Sequence, residues 1–202
     1  MKTILYISRH GETEWNLAKK LQGHQDSPLT EKGQIQAESL AATLNNRQIT
    51  RVYSSDLGRA VQTARAVAKH LDVELIMDER LRERNFGLLE GKTKAELDEN
   101  LLQARRRSHD PDYVIPGGES FRQAYERSVA CLEELIEQNR HTAFAVICHG
   151  GIVNGVFYRA LQLPLSHPRN FSLTNASVNK ITIADGKWFL DIWGDVSHQV
   201  NR

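Results

Sequence analysis

The sequence predicts an α/β domain in which a mainly parallel sheet is covered by helices on both faces. Three observations lead there. Short runs such as residues 3–8 and Ala143–Cys148 are apolar on both parities, as strands buried on both sides are. Between them lie segments whose apolar residues recur at helical spacing. The two kinds of segment alternate, which is the pattern of strands joined by helical crossovers.

The elements follow in order. Residues 3–8 form the first strand. Thr30 is placed as an N-cap, and behind it Ala37, Leu40, Ala41 and Leu44 fall on one helix face. Residues 51–54 read as the second strand, and after Asp56 the residues Val61, Ala64, Ala68 and Leu71 mark a second helix. Residues 73–77 read as the third strand. Ser120 and Gln123 make a capping-box pair ahead of Tyr125, Val129, Leu132 and Ile136. Ala143–Cys148 is the fourth strand, and a helix follows from Gly150-Gly151 to Leu161, before Pro164. Residues 178–183 and 188–192 flank Asp185-Gly186 and read as a hairpin. Residues 92–118 break the rhythm: they are polar, carry Arg105-Arg106-Arg107 and end in Pro116-Gly117-Gly118. They are expected to form a cap-like insert in a single domain spanning 1–202.

The chain has 202 residues, 26 Lys plus Arg against 25 Asp plus Glu, and a formal net charge of +1. That balance creates no global field for nucleic acid or an anionic membrane, so anion binding must come from a local cluster of cations. The two cysteines, Cys131 and Cys148, form no CxxC pair, which argues against a disulfide framework or a zinc site of the usual kind. Cys148 continues an apolar strand and is expected to be a small buried residue. The apolar start through Ile7 is too brief for a signal-peptide core, and no apolar run is long enough to span a bilayer. The expected setting is a reducing cytoplasm.

In open α/β sheets, ligands bind beyond the carboxyl ends of the strands. Arg9, His10 and Gly11 follow the first strand, Ser54, Ser55, Asp56 and then Arg59 the second, and His149 with Gly150 and Gly151 the fourth. Leu81-Arg82-Glu83 lies past the third. Two histidines, at least two arginines and a carboxylate are thus placed to meet at one edge. This set suits phosphoryl chemistry. Arginine presents a planar fork of donors to phosphate oxygens. A neutral imidazole is a nucleophile near pH 7, and flanking cations keep it neutral. A nearby carboxylic acid protonates the leaving oxygen. Arginines that neutralise the phosphoryl oxygens remove the need for a metal.

Arg9-His10-Gly11-Glu12-Thr13 with Trp15-Asn16 resembles the signature of the histidine phosphatase superfamily, also called phosphoglycerate-mutase-like. The resemblance continues through Gln22-Gly23, residues 26–30 with Gly33, residues 53–60 with Gln62-Thr63-Ala64, Leu81-Arg82-Glu83 with Glu90-Gly91, and Cys148-His149-Gly150. Residues 116–120 are similar to a segment of the phosphatase branch, with one extra glycine. It implies a three-layer α/β/α sandwich. It also implies His10 as the nucleophile that carries the phosphoryl group, and Arg9, Asn16, Arg59 and His149 as the phosphate pocket. Glu83 would be the general acid and then the base for water, with Gln22 and Gly23 lining the pocket. It implies no cofactor and no metal.

Some residues admit plainer roles. Arg59 falls in the first turn of its helix, where a cation opposes the dipole, and a bound phosphate there is the expected reason. Glu83 sits in a charge run that a solvated surface would also explain, and Asn16 in a helix end. Arg105-Arg106-Arg107 reads as a solvated helix face rather than a substrate clamp. His24, His70, His109, His141, His167 and His198 show no metal-ligand spacing and are read as surface or packing residues. The short tail after residue 192 and the segments near Gln22 and Ser27 favour a phosphatase acting on a small phosphorylated metabolite. A mutase is the alternative, with Arg105-Arg106-Arg107 in the place of the mutases' paired arginines. A non-catalytic phosphate-binding module is disfavoured because His10 and Glu83 are both present. An RNA-binding protein built on the arginine run would need a basic stripe with interleaved aromatics, which is absent. The oligomeric state is not legible.

Overall fold

A computed structural model describes residues 2–199. Met1, the first residue of the expected domain, and residues 200–202, its last, lie outside the described residues. Six strands, β1 (Thr3–Arg9), β2 (Ile49–Ser54), β3 (Glu74–Met77), β4 (Ala143–Cys148), β5 (Val178–Ala184) and β6 (Lys187–Asp195), form one sheet in the order β3-β2-β4-β1-β5-β6. β1–β4 are parallel to one another, β5 is antiparallel to β1, and β6 is antiparallel to β5. The helices are α1 (Glu14–Leu17), α2 (Glu31–Leu44), α3 (Gly58–Leu71), α4 (Glu99–Arg107), α5 (Phe121–Gln138) and α6 (Gly150–Leu161).

β1, β2 and β4 are apolar on both parities because each faces two cores, whereas β3, at the sheet edge, has exposed ends. Leu5, Ile7, Phe144, Val146 and Cys148 pack on one face with Leu132, Ile136, Ile152 and Val156 from α5 and α6. Tyr6, Val52, Ala145 and Ile147 pack on the other with Leu40, Leu44, Ala64 and Val67 from α2 and α3. The result is the three-layer sandwich, as expected.

The expected caps form. Thr30 accepts from the Gly33 N–H at 3.0 Å, and Ser120 and Gln123 close a reciprocal capping box. β2 begins two residues earlier than its apolar run, at Ile49, because Thr50 bonds the Ala143 carbonyl (3.2 Å) and holds the ladder open to that point. α1, whose four residues offer no periodicity to read, is marked in the sequence only by the reading of Asn16 as a helix-end residue. It is fixed instead by a capping box between Thr13 and Asn16.

The insert contains α4, with Asp98 as its N-cap, and a small core of its own in which Leu89, Leu97 and Ile115 pack with Leu21, Phe86 and Tyr113. Arg84 ties this layer to the sandwich: its guanidinium donates to the carbonyls of Ser108, Tyr113 and Glu119 at 2.9–3.1 Å.

β4 lies between β2 and β1, and the register pairs Arg9 with Cys148 and Ser54 with Ile147. The residues that follow these ends, His10, Ser55 and His149, therefore emerge side by side.

Candidate active site

A cavity of about 620 Å³ opens at these strand ends and runs beneath the insert. Of the expected site residues, Arg9, His10, Asn16, Gln22, Gly23, Arg59 and Glu83 line it. His149 is brought to the same place but lies behind the surface, with no solvent exposure; its ring centroid is 5.4 Å from that of His10.

His10 is 3% exposed. Its Nδ1 lies 2.7 Å from the Gly11 carbonyl, an acceptor only, so Nδ1 carries the hydrogen and Nε2 keeps its lone pair. Nε2 accepts from Arg59 Nε–H at 3.3 Å. Burial, then Arg9 and Arg59, push the His10 pKa well below its ordinary 6.5, against a smaller opposing effect of the Gly11 carbonyl. The ring is therefore neutral at pH 7, the state a nucleophile needs. Its backbone is fixed as well: His10 N–H donates to the Cys148 carbonyl, and Asn175 Nδ2 donates to the His10 carbonyl.

Gly11 is dictated by contact. A Cβ there would run into the Gly33 carbonyl, and a Cβ on Gly33 into the Glu12 carbonyl. The loop carrying His10 thus lies directly on the start of α2, and Thr63 accepts the Gly11 N–H at 3.0 Å.

Arg59 is fully enclosed and almost fully engaged. NH1 donates to the Gln25 carbonyl and Asp26 Oδ1, and NH2 to the Gly23 carbonyl (2.7 Å). Asp26 also accepts the backbone N–H of Arg59. This corrects one expectation. The anion at the start of α3 that offsets a cation in its first turn is the Asp26 carboxylate, supplied by a distant loop. The phosphate reading of Arg59 must rest on its position in the cavity and on the hydrogen left at NH2.

Gly23 has φ +56°, and a Cβ there would collide with Glu90. Glu90 in turn accepts the N–H groups of His24, Gln25 and Phe86, which pins this wall. Asn16 Oδ1 accepts from Thr13 N–H and Asn175 Nδ2, so its NH2 is the group left for the cavity. Gln22 Nε2 lies 2.8 Å from Thr13 Oγ1, and its Oε1 is buried without a partner. Turned over, the carboxamide accepts the Thr13 hydroxyl hydrogen on oxygen and frees its NH2 as a donor, the arrangement an anion-binding wall requires.

Glu83 accepts the N–H of Arg84 at Oε1 and of Gly151 at Oε2, both at 2.9 Å. A side chain on Gly151 would strike this carboxylate. Burial lowers the Arg9 guanidinium from its ordinary value; Glu83 opposes this, and Arg169 and Arg59 add to it. Burial, then Arg59, His10 and Arg9, push His149 well below 6.5, so it too is neutral.

The arginine run divides. Arg106 reaches Glu99 and Arg107 covers Tyr113, as a solvated face would, but Arg105 turns into the cavity, where its NH1 is buried without a partner. The expectation of a wholly solvated run is corrected there, because that side of α4 faces the cavity at the strand ends. His109 and His167, read as surface or packing residues, line the outer cavity, together with Asn154, Tyr158, Phe121 and Arg169. Asn175, Asp26 and Glu90 were not legible as supports, since each acts through a loop contact remote in sequence. The cations Arg9, Lys20, Arg59, Arg84, Arg105 and Arg169 line the cavity against the carboxylate of Glu83. No cluster of three or more His, Cys, Asp or Glu that could hold a metal occurs among the described residues. No described helix is long and apolar enough to cross a membrane.

Fold and site together define an α/β protein with paired histidines and arginines at the carboxyl ends of its parallel strands. Residues 5–196 match the model of the histidine phosphatase superfamily (branch 1), and the chain belongs to that family. It is 36% identical over 201 residues to the probable phosphoglycerate mutase GpmB of Proteus mirabilis, covering 96% of this chain and 94% of the relative. The structure of YhfR from Bacillus stearothermophilus is similar at a TM-score of 0.92, with 32% identity over 98% of this chain and 99% of that one. A mycobacterial glucosyl-3-phosphoglycerate phosphatase in complex with VO3 is similar at 0.85, with 30% identity over 95% and 98% of the two chains. The family thus joins phosphatases and mutase-like proteins.

Proposed function

We propose that this chain is a metal-independent phosphomonoester hydrolase that acts through a phosphohistidine on a small phosphorylated metabolite. The observation that carries the reading is the state of His10: neutral, its Nδ1–H tied to Gly11, its Nε2 lone pair turned to the Arg59 guanidinium. In the first step Nε2 attacks phosphorus and the P–O bond to the leaving group breaks. Protonated Glu83 gives its proton to the departing oxygen, and Arg9, Arg59, His149 and the Asn16 amide take up charge on the phosphoryl oxygens. In the second step the Glu83 carboxylate removes a proton from water, whose oxygen attacks phosphorus. The N–P bond breaks, inorganic phosphate leaves, and His10 and Glu83 return to their starting states.

Water access supports hydrolysis over transfer. The outer wall, Ser166, His167, Pro168 and Arg169, is exposed, whereas a mutase must shield its phosphohistidine from water. Mutase-type transfer is the second reading, favoured by Arg105 in the cavity and by the name of the Proteus mirabilis relative. One assay separates them. A panel of phosphomonoesters that includes phosphoglycerates is incubated with the protein in chelator, and inorganic phosphate and isomerised phosphoglycerate are both measured. Phosphate release in chelator, inhibited by vanadate, is the expected result. Isomerisation without phosphate release would establish the mutase, and activity restored only by added magnesium would overturn the metal-independent mechanism.

A further inference from the structure

We propose that Ser55 is a positioning residue that sets the tautomer of His149, so that its Nδ1–H is the hydrogen offered to a phosphoryl oxygen. The proposal rests on the phosphoryl-binding reading of the site. His149 and Ser55 are both wholly buried, and His149 Nε2 lies 2.8 Å from Ser55 Oγ. A neutral imidazole has one N–H and one lone pair, so this contact runs in one of two directions.

If Nε2–H donated to the serine, the serine hydroxyl hydrogen would have no acceptor, because no other contact of Ser55 Oγ is with an accepting group. Its remaining partner is the Leu57 N–H, which donates to it at 3.3 Å. His149 Nδ1 has no protein partner in either direction, so the two differ by the serine hydroxyl hydrogen, which would be buried and unpaired at a real cost. In the other direction, Ser55 Oγ accepts from Leu57 and donates to His149 Nε2, and every hydrogen on the serine is used. The proton of His149 is then on Nδ1. The charged and polar groups that act on the His149 ring are Arg59, His10, Arg9 and His24, and the arginines are donors only. An Nδ1–H with no protein acceptor awaits one, and a phosphoryl oxygen is the acceptor this chemistry brings. A lone pair there would instead face an anion and repel it.

Ser55 reaches this place for a topological reason. Its N–H bonds the Ile147 carbonyl at 3.1 Å, one step beyond the β2–β4 ladder, and His149 leaves the same strand two residues later.

The test is the protonation pattern of His149 in protein labelled with 15N-histidine, read from long-range proton–nitrogen correlations at neutral pH. The His149 signals are assigned by their loss in His149→Gln. The expected pattern is a protonated Nδ1 and an unprotonated Nε2, with inorganic phosphate shifting Nδ1 more than Nε2. Ser55→Ala should move the proton to Nε2 or mix the two forms, and Ser55→Thr should restore the pattern. Hydrogen bonds behind a metal-ligating imidazole are commonly worth about tenfold to a hundredfold in activity, and the same order is expected where the imidazole meets a phosphoryl oxygen. Ser55→Ala should therefore lower kcat by that order with a much smaller change in KM, and Ser55→Thr should recover most of it. A protonated Nε2 in the unaltered protein overturns the proposal, as does an unchanged pattern in Ser55→Ala. If Ser55→Ala does not fold, the unaltered protein with and without phosphate still decides. None of the spectra requires turnover, so a chain that hydrolyses nothing would overturn the hydrolase reading while the tautomer stood or fell on its own.

Discussion

The Nε–H of Arg59 points at the Nε2 of His10 across 3.3 Å, so one guanidinium holds the nucleophile's lone pair while its other nitrogens are fastened to Gly23, Gln25 and Asp26. Arg59 is 1% exposed, and few of its positions are free to change. To attack phosphorus the lone pair must leave this contact, which frees the Arg59 Nε–H for a phosphoryl oxygen, while the bonds to Gly23, Gln25 and Asp26 keep the guanidinium in place.

The lone pair on Nε2 leads to a covalent prediction. Brief exposure to a labelled phosphomonoester should give a protein adduct that is labile in acid and stable in base. His10→Ala should abolish adduct and turnover together. An active His10→Ala protein would falsify the nucleophilic role.

Glu83 should be distinguished by leaving group. Glu83→Gln should slow alkyl phosphates far more than aryl phosphates, because a phenolate departs with less protonation. A general acid contributes about a hundredfold to ten-thousandfold, so the two classes should separate clearly in kcat/KM. Equal slowing of both would make Glu83 a structural residue, acting through its bonds to Arg84 and Gly151.

The two buried histidines give a pH prediction with a definite sign. His10 and His149 are held well below 6.5, first by burial and then by neighbouring cations. Below about pH 6.5 the unfolded chain takes up protons that the folded chain refuses. Their contribution to stability is therefore complete above that pH and is lost as pH falls from 6.5 toward the folded values. The urea midpoint should drop between pH 7.5 and 5.5, and less so in His10→Asn. For the same reason the acid limb of kcat/KM should lie well below pH 6.5. An acid limb at 6.5 with a pH-independent midpoint would show that the histidines are not depressed.

The contact between Gly11 and Gly33 should be intolerant of one methyl group. Gly11→Ala forces a Cβ against the Gly33 carbonyl and must move the loop that carries His10. Overpacking typically costs about 1–3 kcal/mol, and activity should fall further than stability because the nucleophile shifts with its loop. Denaturant unfolding and kcat/KM on one phosphomonoester check both. Unchanged values would mean that the loop carrying His10 and the start of α2 are free to part.

The sequence by itself determined the layers and the cast of the site. Strands buried on both faces must be apolar on both parities, and helices on a sheet must show one apolar face, so β1, β4, α3 and α5 were readable from local pattern alone. His10, Arg59, Glu83 and His149 were readable because they follow strand ends or open helices. Tertiary structure decided what holds them. Asp26 on Arg59, Ser55 on His149, Asn175 on His10 and Asn16, and Glu90 behind Gly23 join segments up to 165 residues apart. No local pattern records such pairings, because a hydrogen bond between loops depends on strand order and register. The same holds for Arg105. It is one of three like residues in a row, and its path into the cavity while Arg106 and Arg107 face outward follows from how α4 is laid over the strand ends.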